Sequence, residues 1–429
     1  MSLTQLDPAF LAVGSNSTPS LDLFFSATKT LDSRITFVRA SNSTFINSSG
    51  LVESAASNVA RFTHDPVTLR SLGLLIEETR TNLLLRSEEI TTSWTNSGTT
   101  VSQNAGTAPD GAQTADSVTA TSSGSAVRFI IQSVTKAASA IQYAYSFFVK
   151  PIAGGRFITF TVDDGGGNGF SGGLDTTTGT TTGGTVGSGG VFASVGATQH
   201  VNGWWRVNLV GTSTSGTTAR VAVNLAASLT TGFPSANLTA GDGMFFWGLQ
   251  LEAGAFATSY IRTDATTGGV QRAADVATMT GTNFSSWYRQ DEGTFAVNYR
   301  PGRLGAYQQI LQVEDGTSNN NRAPSLAQHS TNAARLDWQS LGTTQINTLT
   351  AGMMTVGDNK VAASYKLGVG ASVAGGGSSN NSTVAISAAT SSVLNIGNRF
   401  LSAPLNGPIS RIRYFRKSLP DSALQTLTT

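Results

Sequence analysis

Cysteine is absent from this chain of 429 residues, which excludes disulfides, thiolate zinc sites and cysteine nucleophiles. Charged residues make up only 12% of the sequence, about half the share found in a typical soluble domain. No cluster of Lys and Arg forms a basic stripe, and no segment approaches the roughly 20 apolar residues of a membrane span. The N-terminus lacks the basic and long apolar regions of a signal peptide. We therefore expect no nucleic-acid partner, no membrane insertion and no export by the general secretion route.

The chain is rich in glycine, serine and threonine, and it also contains many large aromatic side chains. Its 47 glycines indicate many turns, while 21 Phe and 6 Trp are enough to build hydrophobic cores. This composition favours short strands over helices, and the length corresponds to roughly two to four domains. We predict an all-β fold of tandem antiparallel β-sandwich or jelly-roll domains with little helix.

Apolar residues alternate along many segments, which is the period of a half-buried strand. In the middle of the chain the alternation assigns these sets to core faces: Ile141, Tyr143, Tyr145, Phe147 and Val149; Ile158, Phe160 and Val162; Trp205, Val207 and Leu209; Val221, Val223 and Leu225; and Phe245, Trp247, Leu249 and Leu251. In "GWWRV" the alternation sends Trp204 and Trp205 to opposite faces. We predict that Trp205 lies in the core and that Trp204 and Arg206 point outward.

A leucine-rich segment, "LGLLIEETRTNLLLRSEE" at 72–89, does not follow a helical period. We predict a buried strand over 72–76 and the first strand of the middle sandwich over 81–85, with Glu77, Glu78 and Arg80 at the turn between them. Two low-complexity segments, 175–190 and 368–382, are interpreted as flexible tips or long hairpin connections. A short terminal helix is predicted to start at Pro420 and Asp421.

The chain shows no convincing catalytic motif. The "GNGFSGG" segment at 167–173 matches both G-x-G-x-x-G and G-x-S-x-G, but neither match is followed by the helix that its chemistry requires. The carboxylates Glu252, Asp291, Glu292, Glu314 and Asp315 are interpreted as turn and edge residues rather than as acid pairs. We expect no enzymatic activity and no cofactor.

Two sets of residues are candidate metal ligands. His64, His200 and His329 are far apart in the sequence, without the i+2 or i+4 spacing of a metal site, and are predicted to be structural surface residues. Asp163, Asp164 and Asn168 in "VDDGGGNG" are weak candidate ligands for calcium. The simpler interpretation of these three residues is a solvated hairpin turn.

Aromatic residues are the remaining candidates for ligand recognition, because the C–H faces of sugars stack on aromatic rings. For any single Trp, packing in a core is the more frequent arrangement. The candidate glycan-binding residues are Trp204, Arg206, Trp287, Tyr288 and Trp338.

Several segments carry a resemblance to a known family. "ITFVRAS", "GLVESAASNVARFTHDPVTLRSLGLLIEETRTNLLLRSEE" and "WGLQLEAGAFATSYIRT" resemble a recurrent module of tailed-bacteriophage virion proteins, the fibre, spike and head-fibre chains. The resemblance covers roughly residues 35–263. The C-terminal "FLSAPLNGPISRIRYFRKSLPDSALQTLT" looks like the end of a concanavalin/laminin-G type sandwich.

With the resemblance, the chain divides into four parts. Residues 1–18 would be an anchoring segment that docks to the particle, and 19–85 an N-terminal β region. Residues 86–263 would form a carbohydrate-binding-like jelly roll, and 270–429 a concanavalin/laminin-G-like β-sandwich.

The resemblance implies a virion structural protein, a fibre or spike, that is assembled in the cytoplasm of the bacterial host. It would be a homotrimer that contacts other virion proteins through its N-terminal segment and binds host surface polysaccharide during adsorption. A reducing cytoplasm fits the absence of cysteine. The alternatives are a head or tail decoration or scaffold protein that binds only other virion proteins, and a polysaccharide depolymerase.

Overall fold

The computed structural model describes residues 18–152, 154–265, 268–316, 321–399 and 403–429. Nearly all of its regular structure is β, which confirms the predicted all-β class. In the described residues, four large antiparallel sheets form two sandwiches, and three two-stranded ladders accompany them. The anchoring segment predicted over 1–18 lies outside the described residues, apart from its last residue. No helix in the described ranges is long and apolar enough to cross a membrane.

The strands are numbered in chain order. The first part of the chain contains β1 Leu21–Leu23, β2 Thr36–Val38, β3 Ser43–Ile46, β4 Val52–Ala55, β5 Phe62–His64, β6 Ser71–Ile76 and β7 Arg80–Asn82. The middle part contains β8 Thr95–Ser97, β9 Thr99–Gly106, β10 Ala115–Ala120, β11 Gly124–Ala126, β12 Phe129–Thr135, β13 Gln142–Pro151, β14 Phe157–Asp163, β15 Gly169–Asp175, β16 Thr181–Val186, β17 Val191–Gln199, β18 Trp205–Thr212, β19 Thr218–Ala226, β20 Ala236–Leu238 and β21 Gly243–Ala253.

The last part contains β22 Val270–Arg272, β23 Val276–Thr280, β24 Glu292–Tyr299, β25 Gln308–Glu314, β26 Arg322–Gln328, β27 Ala334–Ser340, β28 Thr343–Ala351, β29 Asn359–Lys366, β30 Gly370–Gly375, β31 Ser378–Ser382, β32 Val393–Ile396 and β33 Gly407–Phe415. The helices are α1 Phe25–Thr28, α2 Thr282–Ser285 and α3 Asp421–Thr428. Helix α3 follows Pro420 and confirms the predicted terminal helix.

The middle sandwich packs two six-stranded sheets around one core. Their orders are β17-β18-β13-β21-β10-β9 and β16-β15-β14-β19-β12-β8. The core faces predicted for β13, β14, β18 and β19 are confirmed, because the alternating residues of these strands are buried together between the two sheets.

Strand β21 differs from the prediction because its pairing with β13 shifts register once. Gly248 lies in the irregular stretch with φ +65°, a left-handed conformation that glycine adopts without steric cost. After this β-bulge, Leu249 and Leu251 lie in the sandwich core, whereas Phe245 and Trp247 pack on the opposite face of the sheet. The predicted single face is therefore wrong for its first half.

The last sandwich combines strands from both ends of the described chain. One sheet has the order β31-β30-β29-β24-β33-β6-β5, with β1 also paired to β33, and the other has the order β2-β23-β32-β25-β26-β27-β28. The core between them includes apolar residues of β1, β2 and β6 beside those of β24, β29 and β33. The predicted division into 19–85, 86–263 and 270–429 stays a prediction, but strands before residue 77 complete both sheets of this sandwich.

The leucine-rich segment is only partly as predicted. Its first strand is confirmed as β6, which pairs with β33 and β5. The strand predicted over 81–85 is instead the short β7, which pairs with β22 in a two-stranded ladder. Glu77 does lie between β6 and β7, as predicted, but its residue exposure is only 5%.

Both low-complexity segments contribute strands. Residues 175–190 include β16, which extends the sheet beyond β15, and 368–382 include β30 and β31. Their interpretation as flexible tips is wrong, because small residues still complete backbone hydrogen bonds along a sheet edge.

Candidate functional site

Trp204, just before β18, and Arg206, on β18, are two of the predicted glycan-binding residues. Both lie at a surface that other parts of the chain cover. Trp204 and Trp205 do occupy opposite faces, but Trp204 is only 1% exposed and packs against Phe148, Trp247 and Tyr260. Arg206 is half-buried and stacks over Phe148 at 5.5 Å from the ring centroid. Trp204 points away from the sandwich core as predicted, but it is not exposed, because the hairpin β3–β4 and its neighbours cover this side of the sheet.

The other three candidates come together inside the last sandwich. Trp287 and Tyr288 contact each other at 5.9 Å between ring centroids, and Trp338 contacts Tyr365 of the same core at 5.2 Å. Trp287 and Trp338 are at most 2% exposed, so neither ring presents a face on which a sugar could stack. Their role in glycan binding stays an untested prediction.

The candidate calcium ligands are occupied by local bonds. Asp163 is buried and pairs with Arg220 at 2.9 Å. The Asp164 carboxylate accepts from the backbone N–H of Gly166 at 2.8 Å and from the Asn168 side chain at 3.1 Å, which are the bonds of a hairpin turn. Among the described residues, no group of three or more His, Asp or Glu is arranged to hold a metal ion.

Two of the three histidines are not at the surface. His64 and His200 are 5% and 4% exposed, respectively, so the prediction of surface positions is wrong for both. Burial, with the charge of Arg206 nearby, lowers the pKa of His200 to about 4, since desolvation disfavours the imidazolium. His329 is partly exposed and lies beside Thr331.

Ser171 of the G-x-S-x-G match lies within a strand. It is fully buried on β15 and donates to the backbone oxygen of Phe160 at 2.9 Å. A nucleophile elbow needs an exposed hydroxyl at a strand-to-helix turn. The match is therefore a coincidence of composition, as the sequence indicated.

A buried ionic junction joins the two sandwiches. We define it by Arg39, Arg61, Glu77, Arg272 and Asp275, each 5% exposed or less. Arg61 bonds Glu77 at 2.7 Å and also bonds Asp275. Arg39 bonds Asp275 at 3.1 Å, and Arg272 bonds Glu77.

Burial alone would raise the pKa of Glu77, but the charges of Arg272 and Arg61 and the hydrogen bonds from Ser259 lower it to about 2. Both terminal nitrogens of each junction arginine donate to a carboxylate or a backbone oxygen. The junction therefore has a structural role, because it leaves its arginines no terminal nitrogen for a ligand.

The leucine-rich segment and the segment "WGLQLEAGAFATSYIRT" meet beside this junction. Asn82 of "TNLL" accepts from the backbone N–H of Leu251 at 3.1 Å and donates to the oxygen of Ile261 at 2.9 Å. Ser259 of "TSYI" donates from its hydroxyl to Glu77 at 2.6 Å. Segments about 170 residues apart in sequence thus form one interface.

An open polar cleft lies on the outward face of the last sandwich, and we call it the β26–β28 cleft. Its cavity volume is about 330 Å³. It is lined by Tyr307, Arg322, Arg335, Asp337, Trp338, Gln339, Thr344, Ile346, Asn347 and Arg399. These residues come from the start of β25 and β26, from β27 and β28, and from the chain that follows β32.

Strand alternation explains why β27 supplies so much of the cleft. Leu336 and Trp338 point into the core, so Arg335, Asp337 and Gln339 point to the other face. Arg335 donates its Nε to Asp337 at 2.8 Å and stacks over Tyr307 at 5.1 Å. Their side chains remain partly exposed, at 19% for Arg335 and 16% for Asp337.

Further bonds hold the cleft side chains in position. The Asp337 carboxylate also accepts from the backbone N–H of Thr348 at 2.9 Å. Arg322 donates its Nε to Gln339 Oε1 at 2.8 Å, directly across the β26–β27 pair. Burial, followed by the charge of Arg399, lowers the pKa of Arg322.

A row of polar side chains crosses the same face of the sheet into the cleft. Asn395, Gln312, Ser325 and Asp337 occupy directly paired positions on four adjacent strands. Gln312 donates to Glu314 Oε2 at 2.6 Å, and burial raises the pKa of Glu314. Gln312 Oε1 and Asn395 Nδ2 are buried without a hydrogen-bond partner in the described ranges. The partly exposed side chains of Arg335, Asp337 and Gln339 on this face can bind a polar ligand, whereas Gln312, Ser325 and Asn395 are at most 5% exposed.

The sequence-based search missed this cleft. The signal was present in "ARLDWQS", where Arg335, Asp337 and Gln339 alternate with core positions. The alternation was used to find the apolar face only, and Trp338 was proposed as a ligand residue although its polar neighbours on β27 face the cleft.

Comparisons with known proteins found no matching family model and no similar curated protein. Among solved structures, the carbohydrate-binding module CBM40 of the Ruminococcus gnavus IT-sialidase, bound to α2,3-sialyllactose, is 15% identical; it covers 34% of this chain and 88% of its own, with a TM-score of 0.30. The receptor-binding domain of botulinum neurotoxin C/D mosaic serotype is 11% identical, covering 35% of this chain and 39% of its own, with a TM-score of 0.27. Likenesses this weak carry no argument about ligand or activity.

The similar structures also include an enzyme. Trypanosoma rangeli sialidase in complex with the inhibitor DANA is 11% identical and covers 73% of this chain and 60% of its own, with a TM-score of 0.30. The expectation from the sequence that this chain is not an enzyme is corrected only this far: an enzyme stands among the similar structures, at a TM-score too low to assign an activity.

Proposed function

We propose that this chain is a virion surface protein of a tailed bacteriophage, a fibre or spike, that binds host surface glycan through the β26–β28 cleft. The virion part rests on the resemblance of residues 35–263 to the bacteriophage module. The glycan part rests on one observation: the cleft gathers fixed guanidinium, carboxylate, amide and phenol groups on one face of the sheet. Such groups are the hydrogen-bonding partners that sugar hydroxyls need.

The cleft supports glycan binding better than the aromatic residues proposed from the sequence do. Its polar groups are already held by bonds within the sheet, as in the Arg335–Asp337 pair, so little side-chain entropy is lost when a ligand binds. Trp204, Trp287 and Trp338 are instead packed in cores.

The glycan part is tested by adsorption of the purified full-length protein to an array of bacterial surface polysaccharides. We expect binding that the double variant Gln339→Ala, Asn347→Ala reduces at least tenfold, because it removes two amides of the cleft. The matched control is Asn381→Ala, an exposed amide on β31 of the other sheet. Absence of binding to any polysaccharide would contradict the glycan part. New reducing ends in the same assay would assign the depolymerase alternative.

The virion part has an independent test. Immunogold electron microscopy of phage particles should place the chain at the particle surface, and light scattering of the purified protein should give the mass of a homotrimer. Particles without the chain would contradict the virion proposal. Surface labelling together with an empty glycan array would favour the decoration protein that binds only other virion chains.

A further inference from the structure

We infer that the β26–β28 cleft recognises an acidic sugar, with the anionic group held by Arg322 and Arg335. This inference rests on the proposed glycan binding and goes further by naming the chemical class of the ligand. Three arginines line the cleft, namely Arg322, Arg335 and Arg399, against one carboxylate, Asp337.

The single carboxylate of the cleft is already saturated. Asp337 receives Arg335 Nε at both oxygens, at 2.9 and 2.8 Å, and the backbone N–H of Thr348 at 2.9 Å. The charge of Asp337 therefore offsets that of Arg335, and Asp337 forms no ion pair with Arg322.

Arg322 has a neutral partner instead. Its Nε and Nη2 both donate to the amide oxygen of Gln339. The described residues give its Nη1 no hydrogen bond, and they give none to the two terminal nitrogens of Arg335. A half-buried guanidinium whose hydrogen-bond partner is a neutral amide has no ion pair to offset its charge. A neutral ligand would desolvate that charge without supplying an opposite one.

The shape of these donors suits a carboxylate or a sulfate. A guanidinium presents its N–H groups as a planar fork that matches an oxyanion with two hydrogen bonds. Arg399 also lines the cleft, and its charge, after burial, contributes to the lowered pKa of Arg322. The cavity of about 330 Å³ lies at the lower end of the usual range for small-ligand sites, which suits one or two sugar residues.

The test compares probes that differ only in charge. Oligogalacturonate and its fully methyl-esterified form share one sugar backbone, and sulfated and plain dextran oligomers form a second pair. Titration calorimetry of the full-length protein should give at least tenfold tighter binding of the charged member in one or both pairs. The probe pair with the larger difference in affinity shows whether the site prefers a planar carboxylate or a tetrahedral sulfate. Binding of the charged probes should weaken as the salt concentration rises.

The variants separate a specific site from general attraction. Arg322→Gln should weaken binding of the charged probe at least tenfold. Arg322→Lys keeps the charge but loses the planar fork of donors, so its affinity should lie between those of the native chain and Arg322→Gln. The matched control is Arg34→Gln, which removes an equal charge beside β2 at the opposite end of the same sheet and should bind as the native chain does. Thermal unfolding confirms that each variant is folded.

Equal binding of charged and neutral probes, lost in the Gln339→Ala, Asn347→Ala variant, would overturn the acidic-sugar inference and leave glycan binding standing. Equal losses in Arg322→Gln and Arg34→Gln would overturn it too, since general electrostatics would then explain the binding. A DNA oligonucleotide that competes for the protein as strongly as the acidic sugar does would also show that general electrostatics explains the binding. An array on which no glycan binds would overturn both proposals.

Discussion

Two groups of three arginines lie in opposite settings in this chain. In the junction, Arg39, Arg61 and Arg272 are fully buried, and two carboxylates and several backbone oxygens occupy their terminal nitrogens. In the β26–β28 cleft, Arg322, Arg335 and Arg399 are partly exposed around one carboxylate. The same side chain thus connects internal groups in the junction, whereas in the cleft it is the ligand donor that we propose.

In the proposed function, the donors left over at Arg322 and Arg335, more than the number of arginines, separate the cleft from the junction. A buried ion pair is costly to form, and breaking it by removing one partner is costlier still. A partly exposed pair such as Arg335–Asp337 contributes little to stability. Mutations in the two groups should therefore separate stability from binding.

The largest expected effect is on the junction. Glu77→Gln removes the carboxylate shared by Arg61 and Arg272, and we expect a loss of about 3–5 kcal/mol in the free energy of unfolding. The matched variant in the cleft, Asp337→Asn, should cost up to about 1 kcal/mol, because its ion pair is partly solvated. Urea unfolding of the two variants measures both values, and equal losses would show that the two regions do not differ as described.

The second-largest expected effect is the pH dependence of stability that Glu77 causes. The pKa of Glu77 falls from 4.5 to about 2 on folding, so its ionised form stabilises the folded chain fully above pH 4.5, and that contribution is lost as the pH falls towards 2. This difference in pKa between the folded and unfolded chain corresponds to at most about 3 kcal/mol of unfolding free energy. Unfolding free energies of the native chain and of Glu77→Gln, measured between pH 6 and pH 2.5, should converge as the pH falls. Parallel curves would contradict the assignment.

The smallest expected effect concerns the bulge that turns Trp247 towards the junction side of its sheet. Gly248→Ala places a Cβ at a residue with φ +65° and 3.3 Å from the Phe148 and Tyr260 rings. We expect a loss of about 1–2 kcal/mol from the left-handed conformation, measured by thermal unfolding. The control Gly196→Ala lies on β17 with open space around its Cβ, and it should change stability by less than about 1 kcal/mol. A loss of the same size in both variants would argue against a special role for Gly248.

Much of the fold was predictable because strand periodicity is local. The core faces of β13, β14, β18 and β19 follow from alternating apolar residues, and the terminal helix follows from Pro420 and Asp421. The site was less predictable. Trp204 alternates correctly with Trp205, but its outward face is covered by another part of the chain, which alternation does not report.

The sequence by itself determined the all-β class and the inward face of each regular strand, because a two-residue period is read from neighbouring residues. Tertiary structure alone decided which outward faces are covered, where a bulge reverses the alternation, and which arginines find a carboxylate. Arg39 and Asp275 are 236 residues apart yet bonded, while Arg322 meets an amide across one strand pair. Such partners depend on sheet order and register, which no local pattern encodes.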